Sequence, residues 1–159
     1  MKKLFITAVT AIMFSVSAFA ADGGKKNTTG EANVSYTVLN KFTSDYSDAK
    51  NAAWTVTPNC QKVTFTLSGA PMTAFYDLNG SFLGTTQDVA YDVVSEDAKK
   101  EIASKYNGYT VNEVIKFQSD GSNPDINTLV YFVDLKKADS EVVLRVTPGE
   151  GVYYFKTVK

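Results

Sequence analysis

The sequence predicts an α+β protein built as a tandem α-β4 repeat, a helix and four antiparallel strands written twice. Three observations carry this. From Val63 to Asp92, apolar and polar residues alternate in runs broken by turn residues, the period of half-buried strands. Val34, Val38, Phe42 and Tyr46 stand four apart, with Leu39 beside them, which is the apolar stripe of a helix. An offset of 60 brings Phe42 onto Ile102, Tyr46 onto Tyr106 and Trp54 onto Val114.

The chain opens with Met1-Lys2-Lys3, an apolar run from Leu4 to Phe19, and Ala18-Phe19-Ala20. A basic start, a short apolar core and an A-x-A site make a secretory signal peptide, residues 1–20, cleaved after Ala20. The run is short for a bilayer span, and no basic cluster follows it. The lack of a cysteine at the junction argues against a bacterial lipoprotein. The expected destination is the periplasm or the exterior, with no membrane span left after cleavage. Residues 21–33, ADGGKKNTTGEAN, read as a flexible tail. The domain proper is 34–159, with repeat one at 34–92 and repeat two at 93–159.

Helix one runs from Val34 to Tyr46. A strand begins at Ala53-Trp54-Thr55-Val56, and Thr57-Pro58-Asn59 turns the chain. Val63, Phe65 and Leu67 alternate with Thr64, Thr66 and Ser68. Ser68 to Pro71 is the next turn. Met72, Ala74, Tyr76 and Leu78 form the inward side of the following strand. Asn79-Gly80 then marks a hairpin, because both residues tolerate positive φ. Ser81 to Val89 returns. Ser95 is a good N-cap for helix two, with Glu96 and Asp97 in the first turn where the helix dipole favours negative charge. Ala98, Ile102 and Tyr106 are its buried stripe, and Gly108 ends it. Four strands follow, at 109–117, 129–136, 142–147 and 152–158. The loop Gln118 to Ile126 separates the first two.

Composition removes several function classes. The chain has no histidine, so the commonest general base and the commonest metal ligand are missing. Serine–histidine and cysteine–histidine machinery is excluded with them. The single cysteine, Cys60, cannot close an internal disulfide or build a zinc site. It reads as a half-buried thiol in a turn. Without Lys2 and Lys3 the chain has 14 basic and 17 acidic residues and no basic cluster, so nucleic acid is not an expected partner. Asp77, Asp88 and Asp92 are not forced into one pocket by spacing. The loop Asp120-Gly121-Ser122-Asn123-Pro124-Asp125 offers oxygen ligands without the spacing or terminal Glu of a calcium loop, and reads as a hairpin connection. Glu96, Asp97, Lys99, Lys100 and Glu101 read as the solvated face of helix two. No enzyme activity, cofactor or metal is expected.

The pattern Phe42 to Tyr46, Ala49 and Trp54, then Phe75-Tyr76-Asp77-Leu78-Asn79-Gly80, then Tyr106-Asn107-Gly108-Tyr109 resembles the PepSY-like family of small secreted Bacteroidetes proteins. That family is related in fold to the beta-lactamase inhibitory protein. Two positions depart from the pattern: Ser47 and Ser95 stand where proline is usual. The resemblance implies two α-β4 units whose strands make one curved antiparallel sheet of about eight strands, with both helices on one face. In the inhibitory protein the other face grips a target.

Parity assigns the two faces. Val63, Phe65, Leu67, Tyr131, Val133, Leu144 and Val146 are placed toward the helices. Thr64, Thr66, Thr73, Phe75, Asp77, Val130, Phe132, Asp134, Arg145, Tyr153 and Phe155 are placed on the opposite, open face. Within that set Phe75, Phe132, Arg145, Tyr153 and Phe155 have the composition of a protein-binding hot spot. Trp54 is assigned to the core under helix one. The expected function is a secreted, non-enzymatic binding module for a protein or peptide, inhibitor-like in form. The alternative is a structural, self-assembling envelope protein whose open face meets its own copy.

Overall fold

The computed structural model describes residues 28–122 and 127–159. The elements are β1 (Thr28–Thr29), α1 (Tyr36–Asp45), β2 (Lys50–Val56), β3 (Gln61–Leu67), β4 (Ala70–Tyr76), β5 (Phe82–Asp88), α2 (Glu96–Lys105), β6 (Thr110–Gln118), β7 (Leu129–Lys137), β8 (Ser140–Thr147) and β9 (Gly151–Thr157). The class is α+β, with two α-helices and eight full-length antiparallel strands among the described residues. Two compact units divide the chain. The first holds 28–86 with 119–122; the second holds 87–118 with 127–159.

In the first unit β1 to β5 pair in chain order, every pair antiparallel. α1 forms because Ser35 caps it: the Ser35 hydroxyl accepts from the Val38 amide at 3.4 Å. Val38 and Phe42 are the buried stripe. They pack on Trp54, Val63, Phe65, Ala74 and Tyr76. Phe42 is the hub of this core. Its ring stands 5.1 Å from Phe65, 5.2 Å from Trp54 and 5.4 Å from Tyr46, edge-on to the first two. Edge contacts of this kind add to the burial of the rings. Trp54 is a core residue, as its position predicted.

The second unit repeats the plan with different chemistry. Ser95 caps α2 by accepting from Ala98 at 3.4 Å. β6 to β9 pair antiparallel in chain order. Ala98 and Ile102 pack on Val114, Val133, Leu135, Val142, Leu144, Val146 and Val152, an aliphatic layer in place of the aromatic one. The outer side of α2 carries the charge run, with Lys99 on Glu96 at 2.8 Å and Lys105 on Glu101 at 2.6 Å. The caps Ser35 and Ser95, and the C-terminal residues Tyr46 and Tyr106, keep the offset of 60. Each unit also has an irregularity early in the first strand after its helix, at Lys50/Ala53 and Val111/Glu113.

Four expectations change. The tail is structured at its end: Thr28 and Thr29 pair with Val56 and Thr55, and a 3-10 turn spans Glu31–Asn33. α1 starts at Tyr36, because the cap falls at Ser35 and Val34 remains outside. The Asn79-Gly80 turn is wider than a two-residue hairpin. Asp77 Oδ1 accepts from the amides of Asn79 and Ser81 at 2.9 and 2.8 Å, so β4 stops at Tyr76. Asp77 and Leu78 leave the strand with it, and Leu78 is exposed. The signal peptide and the first part of the tail lie outside the described residues.

Two outcomes are expected. Phe42→Ala should cost about 3–5 kcal/mol, read as a lower urea midpoint at unchanged slope. Burial raises the Tyr46 hydroxyl to about 12, with Asp45 and Asp120 adding to the effect. The unfolded value is about 10. The folded state therefore holds this proton more tightly, and the stabilisation is complete below the unfolded value. Stability should fall as pH rises from about 10 to 12, in step with tyrosinate absorbance.

Candidate functional site

The side of the second sheet away from α2 is built by alternation. Val133, Leu135, Leu144 and Val146 point at the helix, so Phe132, Asp134, Val143, Arg145 and Thr147 point away. The registers set them in rows. One row is Glu113, Asp134, Val143 and Lys156; the next is Ile115, Phe132, Arg145 and Tyr153. Phe155 is the extra residue at the irregularity between Val143 and Leu144.

An antiparallel sheet with a helix on one side usually carries polar residues on the other. This one does not. Ile115, Phe117, Val130, Phe132 and Val143 are all buried on the far face. Phe132 is 2 % exposed, and Phe155 stands edge-on to it at 5.2 Å. Above this floor Arg145 lies over the Tyr153 ring, its guanidinium carbon 5.3 Å from the centroid. The Tyr153 hydroxyl donates to the Glu150 carbonyl at 2.7 Å, which fixes the ring at the rim. Tyr153 is exposed, and Arg145 and Phe155 are half-buried.

The expected site is thus partly assembled and partly corrected. Phe132, Arg145, Tyr153 and Phe155 share one face of the second unit, as parity placed them. Phe75 belongs to the first unit, on the face away from α1, opposite Lys62 and Gly84. Neither Phe75 nor Phe132 is an open-face residue, since each is 2 % exposed. Alternation reports the side a residue takes and not its depth. Phe132 is roofed at least in part by Phe155. Val130 and Asp134 are likewise buried, whereas Thr64 and Thr73 sit at the surface of the first unit and share a 3.3 Å hydrogen bond.

Sequence reasoning missed the polar chemistry of the floor. Asp134 is 3 % exposed and accepts from the Asn112 amide on Oδ2 at 2.7 Å. Its Oδ1 finds no hydrogen-bond partner, and neither does the hydroxyl of Thr147, 6 % exposed on the same face. Beside Asp134, burial holds the Glu113 carboxyl above the ordinary carboxylate range, and Asp88 and Asp134 add to it. The signal was a lone acid in the apolar strand Leu129–Lys137, where an unpaired charge is costly.

Other candidates are ordinary. Cys60 is 1 % exposed; burial pushes its thiol up, and the Thr57 hydroxyl bond only partly opposes this. Asp120 takes the Ser122 amide on its carboxylate at 2.9 Å in a local turn; 123–126 fall outside the described residues. Among the described residues no group of three or more His, Cys, Asp or Glu is placed to hold a metal ion. No helix among them is long and apolar enough to cross a membrane.

No protein-family model matches the chain, and no curated protein matches it. Solved structures do. A BLIP-like protein from Bacteroides fragilis NCTC 9343 superposes with a TM-score of 0.64 at 17% identity, over 78% of this chain and 86% of that one. This chain has the BLIP-like fold. A DUF2874 family protein from Bacteroides uniformis ATCC 8492 gives 0.68 at 17% identity, over 79% and 90%. A protein from Bacteroides eggerthii DSM 20697, provisionally named periplasmic, gives 0.67 at 15% identity, over 79% and 89%. None of these names states an enzymatic activity. At such identities the BLIP-like likeness is one of fold.

Floor and rim should separate by stability. Phe132→Ala is expected to cost about 3–5 kcal/mol. Arg145→Ala and Tyr153→Ala should each stay within about 1 kcal/mol of the parent. Chemical denaturation of the three variants checks this.

Proposed function

We propose that the protein is a secreted, periplasmic, non-enzymatic binding module of the PepSY-like type. Its contact surface for a protein or peptide, inhibitor-like in form, is the far face of the second unit. One observation carries the reading: over a buried apolar floor, the far face brings Arg145, Tyr153 and Phe155 together at the surface. A buried Phe132 floor with an Arg145–Tyr153 rim has the make-up of an interface hot spot, in which aromatics and arginine dominate. The BLIP-like fold of the neighbours supports it. So does the provisional periplasmic name of one of them. The apolar run Leu4–Phe19 ahead of Ala18-Phe19-Ala20 supports export and cleavage after Ala20. The offset of 60 through each helix and its caps supports a tandem repeat as the origin of the two units.

A second reading, self-assembly, is favoured by β9. It exposes Tyr153 and Tyr154 on its two sides, and Val158 follows it, also exposed. Strands of this composition pair readily with a further copy.

The test is a capture experiment on envelope extract, with immobilised mature protein beside an Arg145→Ala/Tyr153→Ala variant of equal thermal stability. A protein held by the parent and lost from the variant is the expected result. Equal capture by both would move the site off this face. No capture, with a concentration-dependent dimer that the variant lacks, would favour self-assembly.

A further inference from the structure

Asparagine followed by glycine is a reactive pair, because glycine has no side chain to keep its amide from the asparagine carboxamide. The chain carries the pair twice, at Asn79-Gly80 and Asn107-Gly108. Both stand in turns, but in opposite surroundings. We infer that Asn107 is a self-modification site, converted through a cyclic imide to aspartate and isoaspartate with the help of Lys137, and that Asn79 is protected. This concerns the end of α2 and stands apart from the contact face.

The reaction needs only water. A solvent base removes the Gly108 amide proton. The nitrogen bonds to Cγ of Asn107, and the carboxamide nitrogen leaves as ammonia, taking a proton from solvent. Water then opens the imide at either carbonyl. Cleavage at Cγ gives aspartate, and cleavage at the main-chain carbonyl gives isoaspartate. One water enters, one ammonia departs, and nothing is oxidised or reduced.

The step is favoured by an amide that ionises readily and is reached by solvent. The Asn107 carbonyl and the Gly108 amide belong to one conjugated peptide group, so charge left on the nitrogen spreads to the carbonyl oxygen. Lys137 Nζ donates to that oxygen at 3.2 Å. A Cβ added to Gly108 would meet the same Nζ at 3.0 Å, so the ammonium lies against the whole peptide group. The Tyr109 ring, its centroid 5.6 Å from Nζ, helps to hold it there. A cation at this range favours the ionised form of an acid. Asn107 and Gly108 are both exposed. The product sets a carboxylate just beyond the last turn of α2, the end of a helix where negative charge is least favoured. Isoaspartate also lengthens the backbone of the turn in which the Tyr109 amide donates to the Tyr106 carbonyl.

At Asn79 the signs are reversed. Its neighbour is a carboxylate: Asp77 Oδ1 accepts from the Asn79 and Ser81 amides at 2.9 and 2.8 Å. The Gly80 amide is engaged with the Asp77 carbonyl at 3.2 Å. Gly80 is buried, with Thr37 and Val38 beside it. Cyclisation here would break the turn and build an anion next to an anion.

The test incubates the folded mature protein in mildly alkaline buffer at fixed pH and follows it by peptide mapping, which separates the asparagine, aspartate and isoaspartate forms. Asn107 should convert more than about tenfold faster than Asn79, the value of one hydrogen bond to a charged group. Lys137→Met should slow Asn107 by about threefold, the reach of an exposed charge contact. Lys137→Arg should keep the parent rate. In urea the two sites should react alike. An intact Asn107 in the folded protein, or equal conversion of both sites, would overturn the assignment. Unchanged conversion in Lys137→Met would overturn the part given to Lys137. A preference for Asn107 that persists in urea would trace it to local sequence and overturn the structural account.

Discussion

Everything in each unit depends on a ten-residue helix pressed onto one side of an antiparallel meander. Helices of this length are marginal alone, because nucleation is costly and few hydrogen bonds offset it. The sheets are equally incomplete without a cover. Phe42 in one unit and Ile102 in the other are the points where the two needs meet. The serine caps at Ser35 and Ser95 hold the helix start so that these side chains land on the strand that follows.

The two units meet that requirement with different materials. The first interlocks Phe42, Tyr46, Trp54, Phe65 and Tyr76, whose rings fix one another's orientation. The second stacks valine, leucine and isoleucine, which fill space with little directionality. A shared backbone plan thus tolerates wide change in its core so long as volume and spacing are kept. The same tolerance leaves the far faces free to diverge. The first unit carries Thr64 and Thr73 there. The second carries an apolar floor with Asp134 set into it.

Much of this plan is legible in the sequence, because it rests on periods. Spacing of four placed both helices, and alternation placed Val63, Phe65, Val133 and Leu144 under them. Parity also put Phe132, Arg145, Tyr153 and Phe155 on one side. What alternation cannot carry is depth, so Phe75 and Phe132 were expected at an open surface and are buried. Nor can it carry local hydrogen bonding. The Asp77 carboxylate holds two amides of its own turn and ends β4 early, and Leu78 is released to solvent. The irregularities near Asn51 and Asn112 have no pattern either; Asn51 takes a φ of 57°, which a small polar side chain permits. The unpaired oxygen of Asp134 is visible only once its neighbours are in place, since burial and partners are tertiary facts.

The central claim is that the far face of the second unit is a contact surface. Amide hydrogen exchange tests it most directly, on the mature protein alone and with the partner it captures. The account predicts slowed exchange in β6, β7 and β8 around Ile115, Phe132 and Arg145, with α1 and α2 unchanged. Protection confined to the first unit, or to the helices, would contradict it.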